Sequence, residues 1–138
     1  PASEADWRYR HCMMSDEGYI ILEATLQLVP WDKKQIRARM DELTEQRCAK
    51  QPLELGSAGS TFKRPLGHYA GKLIDDAGMR GHTRGGAQVS SKHCGFVVNM
   101  GTATARDVRQ VIEDVQNAVF ADSGVRLEPE VRMWGFDD

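Results

Sequence analysis

Alternating apolar and polar positions mark the first predicted element. From Ile21 to Val29, leucine and alanine side chains occupy every second position, with glutamate, threonine and glutamine between them. This two-residue period is typical of a strand with one buried face. Pro30 lacks a backbone donor and ends the pattern. We therefore predict that residues 21–29 form a half-buried strand, as one member of a strand pair.

A helical period follows this strand. Asp32 can cap a helix, and Gln35 three residues later completes a capping-box pattern. The apolar stripe of the helix is formed by Ile36, Met40 and Leu43. We expect this helix to end near Cys48.

The stretch from Gln51 to Ser60 breaks both periods, because it contains Pro52 and several small residues in succession. Such composition favours irregular backbone. We place a domain boundary here, between residues 1–50 and residues 51–138.

Helices and short strands alternate in the second region. Residues 69–77 are predicted to form a helix with Leu73 and Ile74 inward, ended by Gly78 in a left-handed conformation. Thr104 is the predicted cap of a longer helix, with Asp107 in its first turn. Its buried face contains Val108, Val111, Ile112, Val115 and Val119, and Gly124 closes it. Strands are predicted at 87–89, 96–99 and 131–134, so the fold class is α+β.

Composition excludes several partners. The 138 residues carry 18 basic and 20 acidic side chains, a net charge of −2, with no basic stripe for nucleic acid or an anionic membrane. The longest apolar run, residues 19–22, is far shorter than the roughly 20 residues of a membrane span. Three widely spaced cysteines fit a reducing compartment, so we expect a cytoplasmic protein. The cysteines and four histidines lack the close pairing of a metal site.

The start of the chain has neither an initiator methionine nor a signal-peptide pattern. We expect that a further segment precedes Pro1.

The run from Gly56 to Pro65 is the first candidate for chemistry. Its small residues permit close approach of a ligand, and Ser60, Lys63 and Arg64 follow at once. It matches neither a Walker loop nor a dinucleotide fingerprint. On its own, a flexible turn between domains with solvated cations is the simpler interpretation.

Three other runs are ambiguous when each is taken alone. Residues 85–93 combine two glycines with polar side chains and His93, which also fits a strand entered through a tight turn. On a strand, Glu130 and Arg132 would project to the same face, as many surface pairs do. Residues 7–10 mix aromatic and cationic side chains.

Taken together, these runs resemble the motifs of one family, and they occur in the same order along the chain. Tyr9-Arg10, Gln51-Pro52, Ala58-Gly-Ser-Thr-Phe-Lys-Arg-Pro65, Ala70-Gly-Lys-Leu-Ile74, Gly85-Gly-Ala-Gln-Val-Ser90 and Glu128-Pro-Glu-Val-Arg132 are similar to UDP-N-acetylenolpyruvoylglucosamine reductases. The resemblance covers about Tyr9 to Gly135 and is nearest to the shorter, Gram-positive-like class.

The resemblance implies a flavoprotein oxidoreductase of peptidoglycan synthesis and cell wall biogenesis, and through these of cell shape and cell division. Such an enzyme passes hydride from NADPH through FAD to UDP-N-acetylglucosamine enolpyruvate and forms UDP-N-acetylmuramate. The catalytic positions carry over to Arg10, Ser60 and Glu130. Ser60 would donate the proton, Arg10 would orient substrate or flavin, and Glu130 would assist at the carboxylate.

The resemblance also implies binding residues. Substrate-binding positions carry over to Arg47, Lys63, Arg64 and His93, and cofactor-binding positions to Tyr9, Gly59 and Arg132. Cys12 stands where the family commonly has serine, so the flavin contact of that serine is not carried over. The glycine-rich loop for the FAD pyrophosphate lies upstream in this family, and residues 1–55 contain no replacement for it.

We therefore interpret residues 1–50 as the tail of an α+β FAD-binding domain and residues 51–138 as the α+β substrate-binding domain. The missing N-terminal FAD-binding segment would leave the isolated chain with weak or no FAD binding and no turnover. Two alternatives remain open: a non-catalytic UDP-sugar-binding module, and one subunit of a split flavoenzyme whose other half is a separate polypeptide.

Overall fold

The computed structural model describes residues 5–136, without the side chains of residues 15 and 16. The chain divides into two compact units, Pro1–Ile36 and Arg37–Asp138.

The first unit contains a tight turn and a short helix. Arg8 and His11 form an isolated antiparallel bridge, so Tyr9 and Arg10 occupy the turn between them. Helix α1, Met13–Asp16, follows, and the amide of Met13 donates to the carbonyl of Ala5 at 2.9 Å. Ala5 is buried.

The prediction of a strand over residues 21–29 is wrong for the described chain. Residues 19–32 form neither helix nor strand, and Leu22 and Leu26 are 92% and 77% exposed. A strand needs hydrogen bonds from a neighbouring strand, and no strand is present among residues 5–55 to supply them. Alternation alone therefore does not fix this segment in a sheet.

Helix α2 spans Lys33–Lys50. The predicted cap is confirmed, because Asp32 Oδ1 accepts the amides of Lys34 at 3.1 Å and Gln35 at 3.0 Å. The helix ends two residues after the predicted Cys48. Its apolar stripe is exposed, since no residue of α2 is buried.

A four-stranded antiparallel sheet organises the second unit. Its strands are β1, Gly56–Ser60; β2, Thr83–Arg84; β3, Ala87–Val89; and β4, Phe96–Asn99. Their order in the sheet is β1-β4-β3-β2. Strands β3 and β4 have the predicted bounds, and together with the helices they confirm the α+β class.

Strand β1 corrects the expectation of irregular backbone over residues 51–60. Small side chains give this stretch little strand preference of its own, but its backbone pairs with β4 from Gly56 opposite Asn99 to Ser60 opposite Phe96. The register shifts between Ser57 and Ser60, and Gly59 in this interval has a φ of 85°. A glycine tolerates that conformation at little cost.

Both predicted helices of the second unit form. Helix α3, Ala70–Asp76, ends in a Schellman motif: the amide of Gly78 bonds to the carbonyl of Asp75, and that of Met79 to Ile74. Helix α4, Ala105–Ser123, begins with a capping box between Thr104 and Asp107. Gly124, with a φ of 72°, ends it as predicted.

The core lies where α4 packs on β2, β3, β4 and α3. Its most buried large side chains are Ile74, Ile112, Leu127, Val89, Val98, Val111, Val115 and Val119. Because α4 covers one face of the sheet, the stripe predicted for this helix is confirmed by burial.

The predicted strand at residues 131–134 is absent. The preceding segment forms one bridge, Phe62 with Pro129, and the described chain then leaves the ladder. The amide of Thr61 donates to the Gly95 carbonyl at 2.8 Å instead of to this segment, so the pairing does not extend further along the chain. The expectation that Glu130 and Arg132 share a strand face therefore does not hold.

Candidate functional site

Ser60 lies at the end of β1, where neighbouring residues hold the backbone. Thr61 is buried, its amide donates to the Gly95 carbonyl at 2.8 Å, and its hydroxyl accepts the Val97 amide at 3.0 Å. Ser60 itself is exposed. Its hydroxyl is therefore carried on a rigid strand end but remains open to a ligand.

The segment that carries Glu130 pairs with the chain directly after Ser60. The amide of Lys63 donates to the Glu128 carbonyl at 2.9 Å, and the amide of Glu130 donates to the Thr61 carbonyl at 2.8 Å. Glu130 is half-buried, with its Oε2 atom inside the protein. These bonds bring together the backbone segments that carry two candidate catalytic residues, Ser60 and Glu130, which lie 70 positions apart in sequence.

Helix α4 and the core secure this second segment. Leu127 is 1% exposed, and its carbonyl accepts a bond of 2.8 Å from Gln116 Nε2 on α4. Phe62, opposite Pro129, is also buried. The Ser60 and Glu130 backbones are thus fixed by packing on both sides. We name residues 60–64 and 128–130 the strand-end cluster.

The two cations of the cluster have different surroundings. Lys63 Nζ forms an ion pair with Glu128 and is about one-third exposed. Arg64 lies over the ring of Tyr69, with its Cζ 4.0 Å from the centroid, and its Nε donates to the His68 carbonyl at 3.2 Å. Glu128 therefore neutralises Lys63, whereas Arg64 is held by an aromatic face and a carbonyl.

His93 is held by its own loop. Its Nδ1 accepts the Gly95 amide at 3.0 Å, and its ring meets Phe96 edge-on at 5.1 Å between centroids. Buried Ser90 accepts the His93 amide at 3.3 Å. Since Gly95 also bonds to Thr61, this loop joins the strand-end cluster.

The remaining candidates lie elsewhere. Tyr9 and Arg10 belong to the first unit, where Arg10 has a φ of 58° and its Cζ lies 5.8 Å from the Tyr9 ring. A non-glycine residue in this conformation is strained by about 1 kcal/mol or more, and such strain is common at functional sites. Arg47 lies in the last turn of α2 and donates to Gln51 at 3.1 Å.

Sequence reasoning missed a groove of about 590 Å³ next to β1. Its walls come from β1, β4, α4 and residues 131–136, and Arg132 and Trp134 line its C-terminal side. Arg132 therefore lines the groove, and Glu130 is not among its lining residues. The small residues Gly56 to Ala58 leave this space, which was the available signal in the sequence.

The cofactor candidate Gly59 has open space around it. A Cβ added there would meet no atom within 4 Å, so a flat ring has room to approach the backbone. A loop that could hold a dinucleotide pyrophosphate needs several glycines, and Gly18 is the one glycine between residues 5 and 55. The backbone at Gly59 thus leaves room for a planar group, whereas residues 5–55 contain no glycine-rich loop for a pyrophosphate.

Perturbed carboxyl groups mark structural ties in the second unit. Arg84 Nε donates to Asp114 Oδ2 at 2.6 Å. This bond, together with a smaller contribution from the His82 contact, lowers the pKa of Asp114 to about 2. The Arg80 guanidinium lowers the pKa of Asp75 through a two-pronged contact of 2.8 and 2.6 Å. Both pairs tie elements of the fold together.

Among residues 5–136, no three His, Cys, Asp or Glu side chains come together as metal ligands. None of the helices within this range is long and apolar enough to cross a membrane.

Comparison with known proteins adds a family match. A protein-family model described as UDP-N-acetylenolpyruvoylglucosamine reductase, C-terminal domain, matches residues 51–134. The chain is 57% identical over 132 residues to the UDP-N-acetylenolpyruvoylglucosamine reductase of Agathobacter rectalis, covering 96% of this chain and 42% of the relative. It is 55% identical over 137 residues to the enzyme of that name from Clostridium beijerinckii, covering 99% and 45%.

A solved structure matches as well. The crystal structure of UDP-N-acetylenolpyruvylglucosamine reductase from Thermus caldophilus superimposes with a TM-score of 0.66 at 36% identity, over 79% of this chain and 38% of that one. The chain spans less than half the length of these curated relatives.

Proposed function

This chain belongs to the UDP-N-acetylenolpyruvoylglucosamine reductase family, and from that premise we propose that it supplies the proton-donating and substrate-binding part of such a reductase. The reaction is the NADPH-driven, FAD-dependent reduction of UDP-N-acetylglucosamine enolpyruvate to UDP-N-acetylmuramate. It belongs to peptidoglycan synthesis in the cytoplasm, and through the cell wall it serves cell shape and division. The three free cysteines are consistent with that compartment.

One observation carries the proposal. The amide of Glu130 bonds to the carbonyl of Thr61, which directly follows Ser60, so the backbone segments that carry Ser60 and Glu130 lie next to each other, and this supports the two positions that the family resemblance assigns to catalysis. A binding module has no need for a proton donor and a carboxylate at these two catalytic positions. This pairing favours the reductase over the non-catalytic UDP-sugar-binding module.

Residues 51–138 form the substrate-binding domain in this proposal, and residues 1–50 belong to the FAD-binding domain. The pyrophosphate of FAD is held by residues upstream in the longer protein. Within this chain, Tyr9, Gly59 and Arg132 contact the cofactor, and Gly59 has the open space that a flat ring requires. Bound FAD supplies the hydride that NADPH provides.

The chemistry assigned to this chain is the proton step. Hydride addition to the terminal vinyl carbon leaves negative charge on the neighbouring carbon, which is spread into the substrate carboxylate. Ser60 donates a proton to that carbon, Glu130 assists at the carboxylate, and Arg10 orients the reacting groups.

A serine hydroxyl is a weak acid, so positive charge near the substrate must favour its proton loss. Of the two nearby cations, Lys63 is already paired with Glu128, whereas Arg64 is held by Tyr69 and His68. We therefore assign to Arg64 the main positive charge that favours proton loss from Ser60. Arg47 and His93 contact the UDP-sugar in this proposal, and Lys63 contributes through its link to Glu128.

The test uses a fusion protein in which the upstream part of the Agathobacter rectalis relative is joined to this chain. Its substrate-dependent NADPH oxidation is compared with that of its Ser60→Ala variant. We expect kcat to fall at least about a hundredfold in the variant, because a general acid contributes 10²–10⁴. Reduction of the bound FAD by NADPH should persist.

Ser91→Ala is the matched control, since Ser91 is exposed and its backbone carbonyl is the group in contact with Arg80. Equal rates for Ser60→Ala and the parent would contradict the role of Ser60. An inactive fusion protein with bound FAD, beside an active intact relative, would favour the UDP-sugar-binding module. Activity restored only by a separate flavin-bearing polypeptide would indicate the split enzyme.

A further inference from the structure

We propose that Gly71 and Gly95 are positioning residues, forming a slot that holds the His93 imidazole in its neutral Nε2–H form with one donor left for a substrate oxygen. This assignment rests on the proposed function and names a device within the substrate site.

The slot is visible in the space around the two glycines. A Cβ added at Gly71 would lie 3.3 Å from His93 Cε1, and one added at Gly95 would lie 2.9 Å from the same atom. The first contact is tight and the second is incompatible with the present ring position. The edge of Phe96 limits the ring further, at an interplanar angle of 77°. The imidazole is therefore flanked by residues from α3 and from its own loop, while His93 remains exposed to solvent.

The hydrogen bonds determine the form of the ring. Gly95 donates its amide hydrogen to His93 Nδ1 at 3.0 Å, so Nδ1 must present a lone pair. In a neutral imidazole the single ring proton then resides on Nε2. The loop supports this arrangement, because Ser90 Oγ accepts the His93 amide and the His93 carbonyl accepts the Phe96 amide at 3.0 Å.

The slot is connected to the strand-end cluster through Gly95. Its carbonyl accepts the Thr61 amide at 2.8 Å, and Thr61 directly follows Ser60. One residue thus fixes both the imidazole and the strand that carries the proposed proton donor. A UDP-sugar offers phosphate, carboxylate and amide oxygens, which are all acceptors suited to an N–H donor.

The helix position of Gly71 makes it informative. Glycine destabilises helices relative to alanine, so helix stability alone would favour alanine at this position of α3. Replacing Gly71 should therefore leave the fold as stable or more stable while it disturbs the ring of His93. If Gly71 had only a structural role, its replacement would not change the His93 ring while leaving the stability of the fold intact.

The first experiment measures the His93 tautomer in the 138-residue chain by long-range ¹H–¹⁵N correlation NMR. We expect Nδ1 to resonate as the unprotonated nitrogen and Nε2 as the protonated one, and Gly71→Ala to shift both signals without lowering the melting temperature. Lys72→Ala, at the next position of α3, should leave the signals unchanged. A protonated Nδ1 in the parent, or unchanged signals in Gly71→Ala, would overturn the slot.

The second experiment uses the fusion protein. Gly71→Ala should raise KM for the UDP-sugar about tenfold with little change in kcat, as expected for one lost hydrogen bond. If Gly71 acts through His93, then Gly71→Ala added to His93→Ala should cause no further increase. Additive effects, or an unchanged KM, would overturn the positioning role.

The two experiments separate the two proposals. An inactive fusion protein beside an active intact relative would count against the proposed function, and the NMR result would then decide the slot independently. In that case the dissociation constant of the UDP-sugar replaces KM, and equal affinities of the parent and Gly71→Ala would overturn the slot.

Discussion

At the residue scale, the strand-end cluster combines a backbone fixed by hydrogen bonds with side chains that remain exposed to a ligand. Ser60 is exposed, but Thr61 beside it is buried and bonded on both its amide and its hydroxyl. Such preorganisation is useful in catalysis, because a donor held in place need not be ordered during the reaction.

Arg64 provides a prediction at this scale. Its guanidinium lies 4.0 Å from the centre of the Tyr69 ring, so Tyr69→Leu should release it and raise KM for the UDP-sugar in the fusion protein by about two- to fivefold, the usual range for an exposed cation–π contact. Tyr69→Phe keeps the aromatic face and serves as the control. Equal KM values for the Leu and Phe variants would contradict this role of the ring.

The residue types of the candidate site could be predicted from the sequence, but their surroundings could not. Ser60, Glu130 and Arg64 were identified by their resemblance to the family. The Lys63–Glu128 ion pair and the His93 slot depend on residues that meet only in the folded chain. No local sequence pattern encodes such meetings.

At the element scale, the predicted helices formed wherever their ends carried local signals. Thr104 with Asp107, Asp32 and Gly78 each act through the few residues next to them. Strand β1 was missed and the strand at residues 21–29 was wrong for a common reason. Whether a segment forms a strand depends on the strand that pairs with it, and the side chains of Gly56–Ser60 do not indicate pairing with β4.

Asp114 ties β2 to α4 and gives a pH prediction. Its pKa of about 2 lies below the ordinary value because Arg84 bonds to the charged form, so this tie stabilises the fold above about pH 4 and is lost as pH falls through 2. Because the Arg84 side chain is half-exposed and solvent screens the pair, Asp114→Asn should lower the free energy of unfolding by about 1 kcal/mol at pH 7.

Urea unfolding at pH 7 and at about pH 2.5 measures this effect. The difference between parent and Asp114→Asn should shrink by more than half at the lower pH. Asp122→Asn, on an exposed residue of the same helix, is the control. A difference that is the same at both pH values would contradict an electrostatic tie.

At the scale of the whole molecule, the buried core and the exposed apolar residues are segregated along the chain. The main core cluster runs from Phe62 to Leu127. By contrast, the described part of the first unit and α2 expose many large apolar side chains, among them Ile20, Leu22, Leu28, Val29, Trp31 and Met40.

This segregation predicts that residues 51–138 fold without residues 1–50. The shortened chain should melt cooperatively, with a midpoint within a few degrees of the full chain, because its core side chains are all retained. Circular dichroism during heating measures this. The shortened chain should also bind less of a hydrophobic dye than the full chain. A shortened chain without a cooperative transition would contradict the autonomy of this core.

Long-range pairing explains what the sequence could not predict at this scale. Residues 61–63 meet residues 128–130 across the chain, and no periodicity in either segment indicates the other. The fold class followed from the types of element, whereas the site required knowledge of which elements meet.

The most direct test of the central claim is to run the fusion protein in D₂O with UDP-N-acetylglucosamine enolpyruvate and NADPH, and to analyse the product by NMR. We predict UDP-N-acetylmuramate with a solvent-derived deuteron on the carbon next to the carboxylate, and a loss of this product in Ser60→Ala. Absence of the product, absence of deuterium at that carbon, or equal product from Ser60→Ala would contradict the role proposed for this chain.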